Sequence, residues 1–502
     1  MVRMRFSAVL LLRMWVEKRL LRQQQVQVSQ ASVRVQRVGM PALLLPDINI
    51  DLGAGSGLHQ LRILGQLAAD VDGSEATRVP FTFTAEVDGS PTFNPLNFYF
   101  ELPQISRSLF NPWLAHFQLP EIGALEAELK VWGTYKRRAL EYISVQGGVK
   151  VLKVAEQTFE KVNLRSSLQR GIEGYQAQVE ADLVANGKPY TLPLISADWK
   201  QGLGAIPDQL SADSIDLSRL SAWLDKQPFL PYMAQRAVTM LQPEGHIENL
   251  VVRWPQPDWA AFELDADLFN VEVKPWGGAP GLGPVTGRLR HDIRGGAIDL
   301  DNNRFTMHFP DLKMPRWKYT FARGHVNWAL TDEAVEVGSG LLQLKNKDVT
   351  AAGRFFFRLP YDNDKQTDLT LLIGVNDSQG VAFREYIPPA EVGRETHRWL
   401  MEAIQGGVVR QGGFMLNANT RSRLPDYQKP VVQLFLDVDD LQFGFDPEWP
   451  AVTKGDGFFY YRDFGFMVRA KGKLLDSKVR DAWVYSPPGS QRLRILGKSQ
   501  GD

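Results

Sequence analysis

Apolar and polar residues alternate along most of this chain. Phe262, Leu264, Ala266 and Leu268 are apolar, with Glu263 and Asp265 between them. That two-residue period is a strand with one apolar and one polar face. The same period holds for Leu125, Ala127, Leu129 and Val131, and for Val179, Ala181 and Leu183 around Glu180 and Asp182. It predicts strands from Val26 onward, at Leu61–Asp70, Phe81–Val87, Asn97–Leu102, Val145–Leu152, Phe159–Leu164 and Tyr175–Val184. Further strands are predicted at His246–Trp254, Asp368–Asn376, Gly406–Leu416, Pro430–Phe445 and on to Val484.

Helical spacing is confined to a few places. It predicts helices over Met1–Gln30, Ile105–Phe117 and Ser214–Leu241, the last divided by Pro228 and Pro231. Two more are predicted at Gln379–Tyr386 and Val392–Gln405, separated by Pro388-Pro389. The segment Ser486–Asp502 is polar and reads as loose. Asp72-Gly73 and Asp88-Gly89 read as hairpin turns.

Two motifs recur. A helix pair, a glycine and a strand occur at Gly245 and again at Gly406, and a strand broken by Pro and Trp occurs at Pro275 and again near Pro447. Such echoes predict tandem units. The expected organisation is a basic helical lead at 1–25, segments at 26–210, 211–375 and 376–485, and a tail at 486–502.

Charge and composition narrow the function. Over 502 residues, 57 basic and 57 acidic side chains cancel, so nothing suggests a nucleic-acid partner. There is no cysteine, which excludes disulfides and thiolate chemistry but leaves the compartment open. The first 40 residues hold eight Lys/Arg and one acid, around the short apolar run Phe6–Leu12. That run is too short to span a bilayer. A basic helix lying on a membrane surface and an ordinary surface helix both fit it.

Catalytic and metal chemistry finds no motif. His59, His116, His246, His291, His308, His325 and His397 include no pair at i, i+4. Asp299–Asn303 resembles the start of a calcium loop, but Arg304 stands where the turn needs glycine. Asp437 and Asp439 share a strand face, as a polar face requires, without marking a glycosidase pair. Gly277–Gly283 has no following helix to hold a phosphate. The expectation is no enzyme, no cofactor and no metal. The alternation leaves two readings of the apolar face: core of a closed sandwich, or an open surface for acyl chains.

A resemblance adds to this. The segments FELDADLFNVEVKPWGGAPGLGPVTGRLR (262–290), AAGRFFFRLP (351–360), WLMEAIQGGVVRQGGFML (399–416) and LQFGFDPEWPAVT (441–453), with LPEIGALEAELKVWGTY (119–135), resemble the YhdP family of AsmA-like envelope proteins. The resemblance implies a mainly β fold: an elongated, twisted antiparallel β-sheet groove with a few short helices at its edges. It implies phospholipids as partners and transport between inner and outer membranes, in support of the outer-membrane permeability barrier. It places the chain in the periplasm, associated with the inner membrane through an anchor or other envelope proteins. The chain resembles an internal part of such proteins, without their N-terminal anchor and C-terminal part. The implied groove-lining positions are Val179, Ala181, Leu183, Phe262, Leu264, Ala266, Leu268, Leu369, Leu371, Ile373, Val432, Leu434, Leu436 and Val438. The alternative is a non-enzymatic scaffolding protein with a closed β core.

Overall fold

Within each unit most strands pair antiparallel with a neighbour in sequence, so the alternation predicted above becomes a meander. In the computed structural model, residues 24–500 are described except 36–41, 56, 71–77, 90–93, 117–120, 138, 155–156, 186, 205, 219–238, 276–279, 363, 420–423, 425–427, 463 and 489–491. The chain divides into two units, Met1–Asp213 and Ser214–Asp502. The fold is mainly β and antiparallel.

Unit one holds β1 (Gln25–Val35), β2 (Ala42–Gly55), β3 (Leu58–Asp70), β4 (Val79–Asp88), β5 (Leu96–Ile105), β6 (Ile122–Lys136), β7 (Ala139–Val154), β8 (Gln157–Arg170), β9 (Tyr175–Ala185), β10 (Lys188–Trp199) and β11 (Gln209–Asp216), whose last residues lead into unit two. Every consecutive pair from β1 to β11 is hydrogen-bonded. One helix, α1 (Arg107–His116), interrupts the meander between β5 and β6. Asn111 pins it to the start of β6, its side chain donating to the Ile122 carbonyl at 3.1 Å and accepting the Ile122 N–H at 3.0 Å.

Unit two holds β12 (Glu244–Arg253), β13 (Glu263–Val273), β14 (Gly281–Asp292), β15 (Gly295–Asn302), β16 (Phe305–His308), β17 (Trp317–Tyr319), β18 (Phe321–Leu330), β19 (Ala334–Ser339) and β20 (Leu342–Lys345). It continues with β21 (Thr350–Pro360), β22 (Asp368–Gln379), β23 (Ile404–Asn419), β24 (Val431–Phe443), β25 (Val452–Arg462), β26 (Gly465–Leu474), β27 (Ser477–Ser486) and β28 (Arg494–Gln500). Three positions in the meander are split strands: β15 and β16 both pair with β14, β17 and β18 pair with β16 and β15, and β19 and β20 both pair with β18 and β21. The connection from β22 to β23 carries a 3-10 helix (Gly380–Tyr386), α2 (Pro389–Val392) and α3 (Arg394–Ala403).

Three expectations change. The helix over Met1–Gln30 gives way at its end to β1, because Val26 and Val28 pair with Leu52 and Ile50; residues 1–23 lie outside the described residues. The tail is not loose over its described length. Arg494–Gln500 forms β28 on β27, with Ile495 opposite Val484 and Leu496 opposite Trp483. The helix predicted at Val392–Gln405 ends at Ala403, where β23 begins. Most of Ser214–Leu241, together with Asp72-Gly73 and Trp276, lies outside the described residues.

The glycine echo has a structural basis, displaced by one residue. Gly245 has φ 107° and Gly407 has φ 115°, a region that favours glycine. Each sits at a register shift, in the β12–β13 and β23–β24 pairs. A Cβ on Gly245 would stand 2.4 Å from the Asn270 carbonyl oxygen, and one on Gly407 2.8 Å from the Leu441 Cα. The counterpart of Gly245 is therefore Gly407 and not Gly406. Gly245→Ala or Gly407→Ala should each destabilise unit two by about 1–3 kcal/mol. Gly413→Ala, whose Cβ would meet nothing within 4 Å, is the control. Equal denaturation midpoints for Gly407→Ala and Gly413→Ala would refute the assignment.

Candidate functional site

Residues directly opposite each other in antiparallel strands share a face, so the registers trace each face across a sheet. In unit one a single row runs Val28, Ile50, Ile63, Phe83, Phe100, Val131, Val145, Ser166, Val179, Ile195 and Ala212. Every member but Ser166 is apolar. The row on the alternate face runs Gln27, Asp51, Arg62, Thr84, Tyr99, Trp132, Ser144, Ser167, Gln178, Ser196 and Ser211. Only the Tyr99–Trp132 ring pair, with centroids 5.5 Å apart, breaks its polar character.

The apolar row is not sealed. Val28 is 40% exposed and Ala212 is buried, while the members between them are half-buried. A buried cluster lies at one margin, where Leu109 of α1 joins Leu67, Val79, Phe81, Leu102 and Ile105; Ala85, Val87 and Ala181 are buried elsewhere in the unit. The helix thus covers one border of the face.

Unit two repeats the arrangement. One apolar-side row runs Leu264, His291, Gly296, Trp328, Val337, Phe357, Leu369 and Ala418. Another runs Leu344, Ala351, Val375, Gly412, Leu436, Phe459, Val468, Val484 and Ile495. Between them, Ile373, Phe414, Leu434, Tyr461 and Phe466 align. A second cluster buries Leu268, Val271, Val285, Phe305, Tyr319 and Ala322 at the margin, with Trp317 and Tyr386 packed against it. Burial pushes the Tyr319 hydroxyl well above its ordinary pKa.

Of the predicted site residues, Val179, Leu264, Leu369, Ile373, Leu434 and Leu436 stand in the rows traced above. Val179 and Ala181 lie in unit one, opposite Ser166 and Leu164, and Leu183 lies opposite Tyr190. Leu264, Ala266 and Leu268 face His291, Leu289 and Gly287. Phe262 lies just before β13, its ring edge-on to His291 at 5.7 Å. Leu369, Leu371 and Ile373 are joined through Ala418, Leu416 and Phe414 of β23 to the neighbourhood of Val432, Leu434 and Leu436. Val438 lies opposite Gly457. Sequence reasoning missed the larger aromatic members, Phe83, Phe98 and Phe100, because membership depends on register. It also missed that the alternate face of β21–β25 is not uniformly polar. A recess of about 580 Å³ there is lined by Leu372, Gly374, Gly413, Met415 and Phe435 as well as by Ile373 and Leu434.

Charge is held on the alternate face as ion-pair ladders. Arg165 pairs with Glu180 at 3.1 Å, whereas the Arg170–Glu141 pair, also at 3.1 Å, stands at the end of the apolar side, two residues beyond Leu168 and Ile143. Asp299 accepts from His325 at 2.7 Å and from Arg290 at 2.6 Å, which hold its carboxyl below the usual range. Lys471, at 2.8 Å, and Arg410, at 2.9 Å, do the same for Asp456. A carboxylate with a lowered folded pKa stabilises the fold above its unfolded pKa, and this is lost as pH falls through the folded value. Acidification below about pH 4 should therefore lower the melting temperature. Asp456→Asn should reduce that fall by about 1–3 °C. An unchanged acid limb in the variant would contradict the pairing.

Among the described residues no group of His, Asp and Glu could hold a metal ion, and no helix is long and apolar enough to cross a membrane. In each unit, fold and face define an antiparallel sheet with a mainly apolar side and a side rich in ion pairs, bordered by short helices. A family model described as YhdP protein matches residues 13–501, and the chain belongs to that family. It is 20% identical over 337 residues to the intermembrane phospholipid transporter YhdP of Escherichia coli (strain K12). That match covers 65% of this chain and 26% of the relative, so the chain spans only a part of that protein's length.

Proposed function

We propose that this chain binds phospholipid acyl chains along its apolar rows and supports phospholipid movement between the inner and outer membranes. On this reading it works in the periplasm, in association with the inner membrane, and contributes to the outer-membrane barrier. Its role is conduction and not catalysis. The observation that carries the reading is the half-buried apolar row crossing β1–β11, matched by the rows of unit two. A closed core would bury such side chains fully.

The physical role follows from the cost of wetting a lipid tail. Each methylene drawn into water costs about 0.8 kcal/mol, so a tail of about 14 methylenes costs on the order of 11 kcal/mol. A face that offers apolar contact at every strand lets a tail step along without that cost. The headgroup stays in water beyond the margin. The test is extraction of the purified chain followed by phospholipid quantification. Copurifying phospholipid is expected. Lipid-free protein that takes up no phospholipid when offered it would favour the scaffolding reading with a closed core.

A further inference from the structure

We propose that the recess between α3 and the loop joining β24 to β25 binds an organic ammonium group. The recess, about 260 Å³, is smaller than sites for drug-sized ligands and suits a small group. Its walls are Trp399, Phe445 and Trp449, and its polar groups are Glu402, Gln405 and Asp446. The rings are held by the fold. Trp399 Nε1 donates to the Phe445 carbonyl at 2.9 Å and stands edge-on to Phe443 at 5.7 Å. The Phe445 and Trp449 rings lie 6.1 Å apart at 39°. Asp446 Oδ1 accepts the Glu448 N–H at 2.8 Å and fixes the loop.

The chemistry selects a cation. Trp399 is 43% exposed, Phe445 39% and Trp449 59%, so large ring surfaces face the recess and solvent. Aromatic faces attract ammonium groups through their quadrupole. The lining includes two carboxylates and neither Lys nor Arg. Several strand acids elsewhere on this unit, among them Asp265, Asp301, Asp437, Asp456 and Asp481, are paired with Arg or Lys. Among the described residues neither Glu402 nor Asp446 forms an ion pair. An anion would be repelled here, and a bare acyl chain would desolvate two charges. An ammonium answers both the rings and the carboxylates. It could be a lipid headgroup or a free metabolite. The ammonium site stands on the recess alone, and only the lipid source rests on the phospholipid reading.

The test is saturation-transfer NMR on the methyl signal of tetramethylammonium with the full chain. A saturable signal is expected, weakened about fivefold or more in Trp449→Ala and in the double variant Glu402→Gln/Asp446→Asn. The carboxamide at 446 keeps the loop's acceptor, so that variant answers the question if Trp449→Ala fails to fold. Trp259→Ala, at an exposed tryptophan elsewhere on the unit, should leave the signal unchanged. No signal, or equal signals in all variants, would overturn the site. Dihexanoyl lipids below their micelle concentration separate the sources. Displacement by an ethanolamine-headed but not a glycerol-headed lipid supports a lipid headgroup. Displacement by free choline alone supports a soluble ammonium and leaves the phospholipid reading to the extraction test. Equal displacement by the glycerol-headed lipid would overturn ammonium selectivity.

Discussion

Leu434→Asp is expected to abolish most phospholipid binding by unit two while leaving the sheet folded. Leu434 stands between Phe414 and Tyr461 in a row of apolar neighbours and is half-buried. A carboxylate there either meets an acyl chain or keeps water in the row, at a cost of several kcal/mol to the bound state. That corresponds to a loss of more than about tenfold in lipid retained. Because the position is not fully buried, the free protein can hydrate the charge. Thr370→Asp places the same charge on the alternate face, outside the recess that Met415 and Phe435 line and opposite Phe356 and Asn417, and should leave binding near wild type. Equal lipid content in the two variants would show that the face has no role.

Phe81→Ala is expected to cost unit one about 3–5 kcal/mol, the usual range for an emptied phenylalanine site. Phe81 is 6% exposed and anchors the cluster under α1, with the Phe100 ring at 6.0 Å. The neighbouring strand leaves room for it. A Cβ on Gly65 would come within 2.8 Å of the Phe81 ring. The loss should appear as a lower denaturation midpoint with release of α1. Phe98→Ala, in an open row, should cost clearly less. Equal losses would mean that the margin is no better packed than the rest of the face.

The alternation of apolar and polar residues was legible because a strand's period of two survives in the sequence. Val179, Ala181 and Leu183 needed only that. The face as a whole was not legible, because a slip of one residue exchanges the two faces. Only the register sets Phe83 beside Phe100 and Val131 beside Val145. Bulges also reset the phase. Leu268 and Val271 are both buried although they are three apart, because Asn270 has φ 52° between them. Over β1 the helix expected to Gln30 and the alternation expected from Val26 overlapped, and its partners in β2 decide for the strand. β28 holds only two large apolar residues, Ile495 and Leu496, yet Val484 and Trp483 give it a strand to pair with. The recess beside α3 could not be seen at all, since Trp399 and Trp449 come to line it only through the pairing of β23 with β24 and the loop that follows.

The central claim is that lipid tails travel on one face of the sheet. The most direct measurement is photocrosslinking in cells, with a photoreactive residue placed in turn along each unit. Val131, Val145, Leu371 and Leu434 report the apolar rows, and Ser144, Ser167, Thr370 and Asn417 report the alternate face. Phospholipid adducts at the first set and none at the second are predicted. Adducts at both sets alike, or none at the apolar rows, would contradict the account.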